Sequence, residues 1–89
     1  MTAPASPTPV RLDREELRRT IAQVLDVDVA ELTDDASFTD DLDVDSLMAL
    51  EVVVVLEKAY GLRLDERELR SITSLDSAYR LLNARLAAA

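Results

Sequence analysis

The stretch Ser46-Leu47-Met48-Ala49-Leu50-Glu51-Val52-Val53-Val54-Val55-Leu56-Glu57-Lys58-Ala59-Tyr60-Gly61 decides the fold. Its four consecutive valines favour strand locally. Fifteen residues without a turn signal exceed a usual strand, however, and the valines are surrounded by Ala49, Leu50, Glu51, Leu56, Glu57 and Lys58, all good helix formers. The stretch therefore reads as a helix, with Ser46 as its N-cap and Gly61 as its C-terminal stop. At helical spacing Ala49, Val52, Val53, Leu56 and Tyr60 share one face and form a core stripe. Leu47, Leu50 and Val54 lie on the other face with Glu51 and Lys58, and Met48 adds to the same end, so the first turns are apolar nearly all round. Such a helix is either buried whole or divides its faces between the core and a partner. Complete burial is hard to arrange in a small bundle, which favours the partner surface.

Upstream, residues 27 to 45 have no sustained helical period. They read as a long acidic loop pinned by Leu32, Phe38 and Leu42, and loops of that length usually have a function. Before the loop, Asp13 and Glu16 have the N-cap and N3 spacing of a capping box, Leu12 can staple onto Leu17, and Leu17, Ile21, Val24 and Leu25 form the apolar stripe of a helix ending near Asp26. Downstream, a short helix is expected over Asp65 to Arg70. A last one starts at Thr73 or Ser74, with Leu75, Ala78, Tyr79, Leu82 and Leu86 facing inward. The expected fold is all-α: a small bundle of three main helices plus one short helix, with the long loop between the first two. Its interior holds Leu17, Ile21, Leu25, Val52, Val53, Leu56, Ile72, Tyr79 and Leu82. Residues 1–11, with three prolines, read as a flexible tail, 12–87 as the domain and 88–89 as its end.

Composition narrows the chemistry. The 89 residues suffice for one small domain. Without cysteine or histidine the chain lacks thiol nucleophiles, disulfides, soft metal ligands and the commonest general base. Ten Lys and Arg against 18 Asp and Glu give a net charge of -8, which repels nucleic acid and anionic membrane and attracts basic protein surfaces. Between Thr20 and Glu57 there are eleven acids and no base, so the acidity is concentrated on the long loop and the helix after it. With no apolar run of membrane-span length and no signal-peptide pattern, the chain reads as cytoplasmic. It is expected to be a monomer whose partners are proteins.

The alternation Asp41, Asp43, Asp45 invites a calcium-loop reading, which fails: with Asp41 at position 1, Ser46 falls where the turn glycine is required and Val52 where the bidentate Glu is required. No metal site is expected. Ser46 has no histidine to take its proton and no nearby lysine in its place, so no catalytic residue is assigned. A serine opening a helix has two readings. It caps the helix, a role open to any Ser, Thr, Asp or Asn, or it carries a phosphate-linked group favoured by the helix dipole and the unpaired leading N–H groups.

The run Asp41-Leu42-Asp43-Val44-Asp45-Ser46-Leu47 closely resembles the Asp-Leu-Gly-x-Asp-Ser-Leu signature of acyl carrier proteins. The resemblance extends over about residues 12 to 87, through the capped first helix, Phe38 shortly before the signature, Glu51 and Glu57 in the second helix, and Leu64, Ile72 and Leu75. It implies that Ser46 carries 4'-phosphopantetheine, transferred from coenzyme A by a separate phosphopantetheinyl transferase. It also implies that the arm's thiol holds acyl groups as thioesters, and that the chain itself supplies no catalytic group. The docking face for the transferase and for acyltransferase, ketosynthase or other acyl-processing enzymes would comprise Asp45, Leu47, Met48, Leu50, Glu51, Val54 and Glu57, with Glu51 and Glu57 exposed. Asp43 stands where the family usually has glycine, which leaves the shape of the turn open. Met48 stands where fatty-acid carriers often have an acid, which favours a polyketide or related specialised route. A fatty-acid carrier, a peptidyl or aminoacyl carrier of nonribosomal synthesis, and a helical adaptor without a cofactor are the alternatives.

Overall fold

A computed structural model describes residues 12–88, so the expected tail over 1–11 lies outside the described residues. Among the described residues, four α-helices and one short 3-10 turn make up the regular structure: α1 (Arg14–Leu25), the 3-10 turn (Val29–Glu31), α2 (Ser46–Tyr60), α3 (Glu66–Ser71) and α4 (Leu75–Ala88). The architecture is the all-α bundle expected, and no strand occurs among the described residues.

Each helix has a chemical start and stop. Asp13 caps α1, its carboxylate accepting from the N–H groups of Glu15 and Glu16 at 2.9 and 3.4 Å. The reciprocal bond from Glu16 is not made, so the expected capping box is half formed, with Asp13 serving both leading donors itself. Two left-handed residues end the first two long helices: Asp26 after α1 (φ 58°) and Gly61 after α2 (φ 65°). A full capping box, Asp65 with Glu68, opens α3. Ser74 precedes α4 and accepts from the N–H of Ser77 at 3.2 Å.

The valine run is helical because tertiary burial overrides local preference. Val52, Val53, Leu56 and Tyr60 turn inward and are buried, while Val54 lies outside. Val52, Leu56 and Tyr60 join Leu17, Ile21, Leu25, Leu32, Phe38, Leu75, Ala78 and Leu82 in one core, and Val53 is buried beside the space between α2 and α3. Of the residues expected inside, Ile72 and Tyr79 are only partly buried against that core. Tyr79 lies at the edge, where the Arg14 guanidinium stacks 4.3 Å from its ring centre. Ala49, expected in the core stripe, is exposed, and Met48, expected on the outer face, packs partly against the core. Met48 stands one turn before Val52 and continues its stripe, whereas Ala49 faces open space between α2 and α3.

The loop from Val27 to Asp45 is held by polar ties as well as by Leu32 and Phe38. Arg18 donates to the Leu32 carbonyl and pairs with Asp34 and Glu15. Arg14 pairs with Asp34 and Asp76, at 3.3 and 3.4 Å. The Phe38 N–H donates to the Thr73 carbonyl at 2.9 Å, and the Phe38 carbonyl accepts from Val44 at 2.7 Å. Leu42, expected to anchor the loop, is half-buried, and Val44 is the buried residue at its end.

Candidate functional site

The site lies at the junction of the loop and α2, and Val44 anchors it, 5% exposed in the core. The residue before it, Asp43, has φ 58°, so the backbone takes here the left-handed turn that a glycine would adopt without strain. The open question of the turn's shape is thereby answered: aspartate replaces glycine in the sequence and keeps a glycine-like conformation. Asp tolerates this region better than most residues because its short polar side chain bonds locally.

Ser46 is the first residue inside α2 and not its N-cap. Asp45, extended at φ -90° and ψ 179°, is the cap, its carboxylate accepting the Met48 N–H at 2.9 Å. An aspartate one residue earlier in the chain takes the role expected of the serine, and its charge favours the positive end of the helix dipole. The exposed Ser46 hydroxyl is therefore not required for capping. The N–H groups of Ser46 and Leu47, at the first two helical positions, have no partner within the helix ladder and face the same end.

The outer face of α2 presents Leu47, Leu50 and Val54, which are 67%, 51% and 40% exposed, with Glu51 exposed beside them. Asp45 is exposed as well. Glu57 departs from expectation. It is half-buried, and its Oε2 accepts the backbone N–H of Leu64 at 2.8 Å, tying the end of α2 to the segment that leads into α3. Six of the seven expected docking residues thus cluster around Ser46 and the first turns of α2, with Met48 turned half inward, and Glu57 lies at the far end of the helix.

An open groove of about 290 Å3 separates α2 from α3. Ser46, Ala49, Leu50 and Val53 form one wall, and Glu66, Leu69 and Arg70 the other. Sequence reasoning missed the α3 wall, although Glu66, Leu69 and Arg70 stand at i, i+3 and i+4 and so must share a helix face. The α3 helix has no fully buried residue. It is fixed to the body by Glu68, which accepts from Arg85 Nη1 at 2.6 and 2.7 Å and from the Asp65 N–H at 3.0 Å. These bonds hold the Glu68 carboxyl below its ordinary range, the Asp65 N–H being the larger cause and Arg85 the next.

The geometry suits a covalently attached phosphate-linked arm. An exposed hydroxyl stands at a helix N-terminus, beside a groove that offers an apolar floor and an arginine. Comparison with known proteins agrees. The profile of the PP-binding family, described as a phosphopantetheine attachment site, matches residues 15–82. A polyketide-8 synthase acyl carrier protein 2 from Streptomyces avermitilis is 63% identical over 79 residues, which cover 89% of this chain and 91% of that protein. Acyl carrier proteins of Petrotoga mobilis and Rubrobacter xylanophilus are 39% and 38% identical over 72 and 71 residues, covering 81% and 75% of this chain and 85% and 88% of their own. The chain belongs to the acyl carrier proteins, within the phosphopantetheine-attachment family. It is a carrier and not an enzyme, and 4'-phosphopantetheine is its covalent cofactor.

Proposed function

We propose that Ser46 is the attachment residue, and that the chain carries acyl intermediates for a polyketide synthase. The observation that carries the first part is the division of labour at the start of α2, where Asp45 caps the helix and leaves the Ser46 hydroxyl exposed. The second part is supported by similarity to the Streptomyces avermitilis carrier, whose name places it with a polyketide synthase. When bound, the arm supplies a terminal thiol that holds acyl groups as thioesters. This also explains how a protein of acyl transfer manages without cysteine.

The chain's own part is presentation. With no histidine in the sequence, no lysine between Thr20 and Glu57 and no carboxylate among the described residues accepting from the Ser46 hydroxyl, we assign the base that takes the Ser46 proton to the transferase. In that reaction the serine oxygen bonds to the pantetheine-bearing phosphorus of coenzyme A, the pyrophosphate bond breaks and the nucleotide part departs. The acids around Ser46 steer basic partner surfaces, both the phosphopantetheinyl transferase and the acyltransferase, ketosynthase or other acyl-processing enzymes. Leu47, Leu50 and Val54 supply the apolar contact, with Asp45, Glu51 and part of Met48 around them. Glu57 contributes charge from the far end of the same helix.

We take residues 12–87 as the carrier domain. No helix among the described residues is long and apolar enough to cross a membrane, which is compatible with the monomeric cytoplasmic role we propose. The test is intact mass after incubation with coenzyme A and a broad-specificity transferase. Wild type should gain one arm and Ser46→Ala none. An unmodified wild type, or a modified variant, overturns the assignment.

A further inference from the structure

Attaching the arm puts a phosphodiester onto the most acidic part of the chain. From Thr20 to Glu57 the sequence has eleven acids and no base, and Asp43 and Asp45 directly precede the serine. An added anion at this place is repelled by its neighbours unless a cation reaches it from another element. The groove beside Ser46 contains one cation among its lining residues, Arg70 of α3. Among the described residues Arg70 is held by Glu66 alone, one turn back on the same helix, at 2.8 Å, and the two side chains are 76% and 78% exposed. An exposed pair of this kind is weak, and a guanidinium released from it binds phosphate oxygens more strongly through charge-assisted, forked hydrogen bonds.

We propose that Arg70 exchanges Glu66 for the phosphate of the arm and makes α3 a phosphate clamp facing the N-terminus of α2. Two donor sets then meet the anion from opposite walls of the groove: the leading N–H groups of α2 and the guanidinium of α3. Arg67 is on the same short helix and exposed, but it does not line the groove, so it provides a charge control.

The proposal rests on Ser46 as the attachment residue, and the experiment separates the two. The full chain is converted with coenzyme A and a transferase, and intact mass confirms one arm. The phosphorus resonance of the phosphodiester is then recorded by NMR for wild type, Arg70→Gln, Arg70→Lys and Arg67→Gln, and the Nε–Hε cross-peak of Arg70 for wild type and Arg67→Gln before and after conversion. Expected are a movement of the Arg70 cross-peak by more than its linewidth on conversion, and a phosphorus resonance displaced between wild type and Arg70→Gln. Arg67→Gln should overlay wild type, and Arg70→Lys should fall between, since it keeps the charge and loses the fork. Complete modification with an unmoved Arg70 cross-peak and superimposed phosphorus resonances overturns the clamp and leaves the attachment reading intact. Failure to add mass to the wild type overturns both.

Discussion

The carboxylate of Glu57 accepts the backbone N–H of Leu64 at 2.8 Å, across the left-handed Gly61 that ends α2. A residue that sequence alone groups with the docking acids therefore also closes the turn into α3. Glu57→Lys should lower stability by about 1–3 kcal/mol, since it leaves the Leu64 donor without its acceptor, whereas Glu51→Lys should leave stability nearly unchanged. Urea unfolding of the two variants checks this, and equal midpoints would remove the structural role of Glu57.

Asp45 is the cap of α2, so Asp45→Ala should cost about 1 kcal/mol, while Asp45→Asn and Ser46→Ala should cost much less. Thermal unfolding of the three variants reads the order directly. If Ser46→Ala proves the most costly, the serine is the cap after all.

Asp43 holds φ 58°, a region where a side chain with a Cβ is strained by roughly 1–2 kcal/mol. Asp43→Gly should be stabilising or neutral, and Asp43→Val should be destabilising and slow modification of Ser46. The checks are denaturant midpoints together with single-turnover transferase rates.

Leu47 and Leu56 test the division of α2 into two faces. Leu56 is fully buried, and its truncation to Ala should cost about 2–5 kcal/mol. Leu47 is 67% exposed, and its truncation should leave the fold intact and mainly speed dissociation from partner enzymes. Wild-type partner kinetics for both Leu47→Ala and Glu51→Lys, at low and high salt, would show that this helix is not the docking face.

Three carboxyls are depressed by their partners: Glu15 and Asp34 by hydrogen bonds from Arg18, and Glu68 by the Asp65 N–H and Arg85. A group whose folded value lies below its unfolded one contributes stability above the ordinary carboxylate range and loses it as pH falls through the folded value. Wild type should therefore lose stability in acid. The gap between wild type and Arg85→Gln should narrow over that range, as followed by urea unfolding at a series of acidic pH values. A gap independent of pH would exclude the Glu68 pairing as its source.

Much of this could be read from the chain. The caps at Asp13 and Gly61, the stripe of α1 and most of the buried face of α2 follow from spacing and residue chemistry, whereas Asp65, expected inside the short helix, is its cap. What escaped reading depends on contacts between distant residues. The inward turn of Met48 and the exposure of Ala49 depend on where α3 sits, and the second role of Glu57 depends on how the chain turns after Gly61. The Ser46 cap assignment failed for a local reason: two good capping residues are adjacent, and the extended backbone at Asp45 chose between them.

The tie from Phe38 to Thr73, and from Phe38 onward to Val44, bears on the order of events during synthesis. The turn that presents Ser46 borrows a bond from a residue far along the chain. A nascent chain that has emerged only through α2 holds the serine and its flanking sequence without the fixed turn. With Ser46 as the proposed attachment residue, competence for modification is expected to arrive with the last third of the polypeptide, and a chain halted before Thr73 to be a poor transferase substrate.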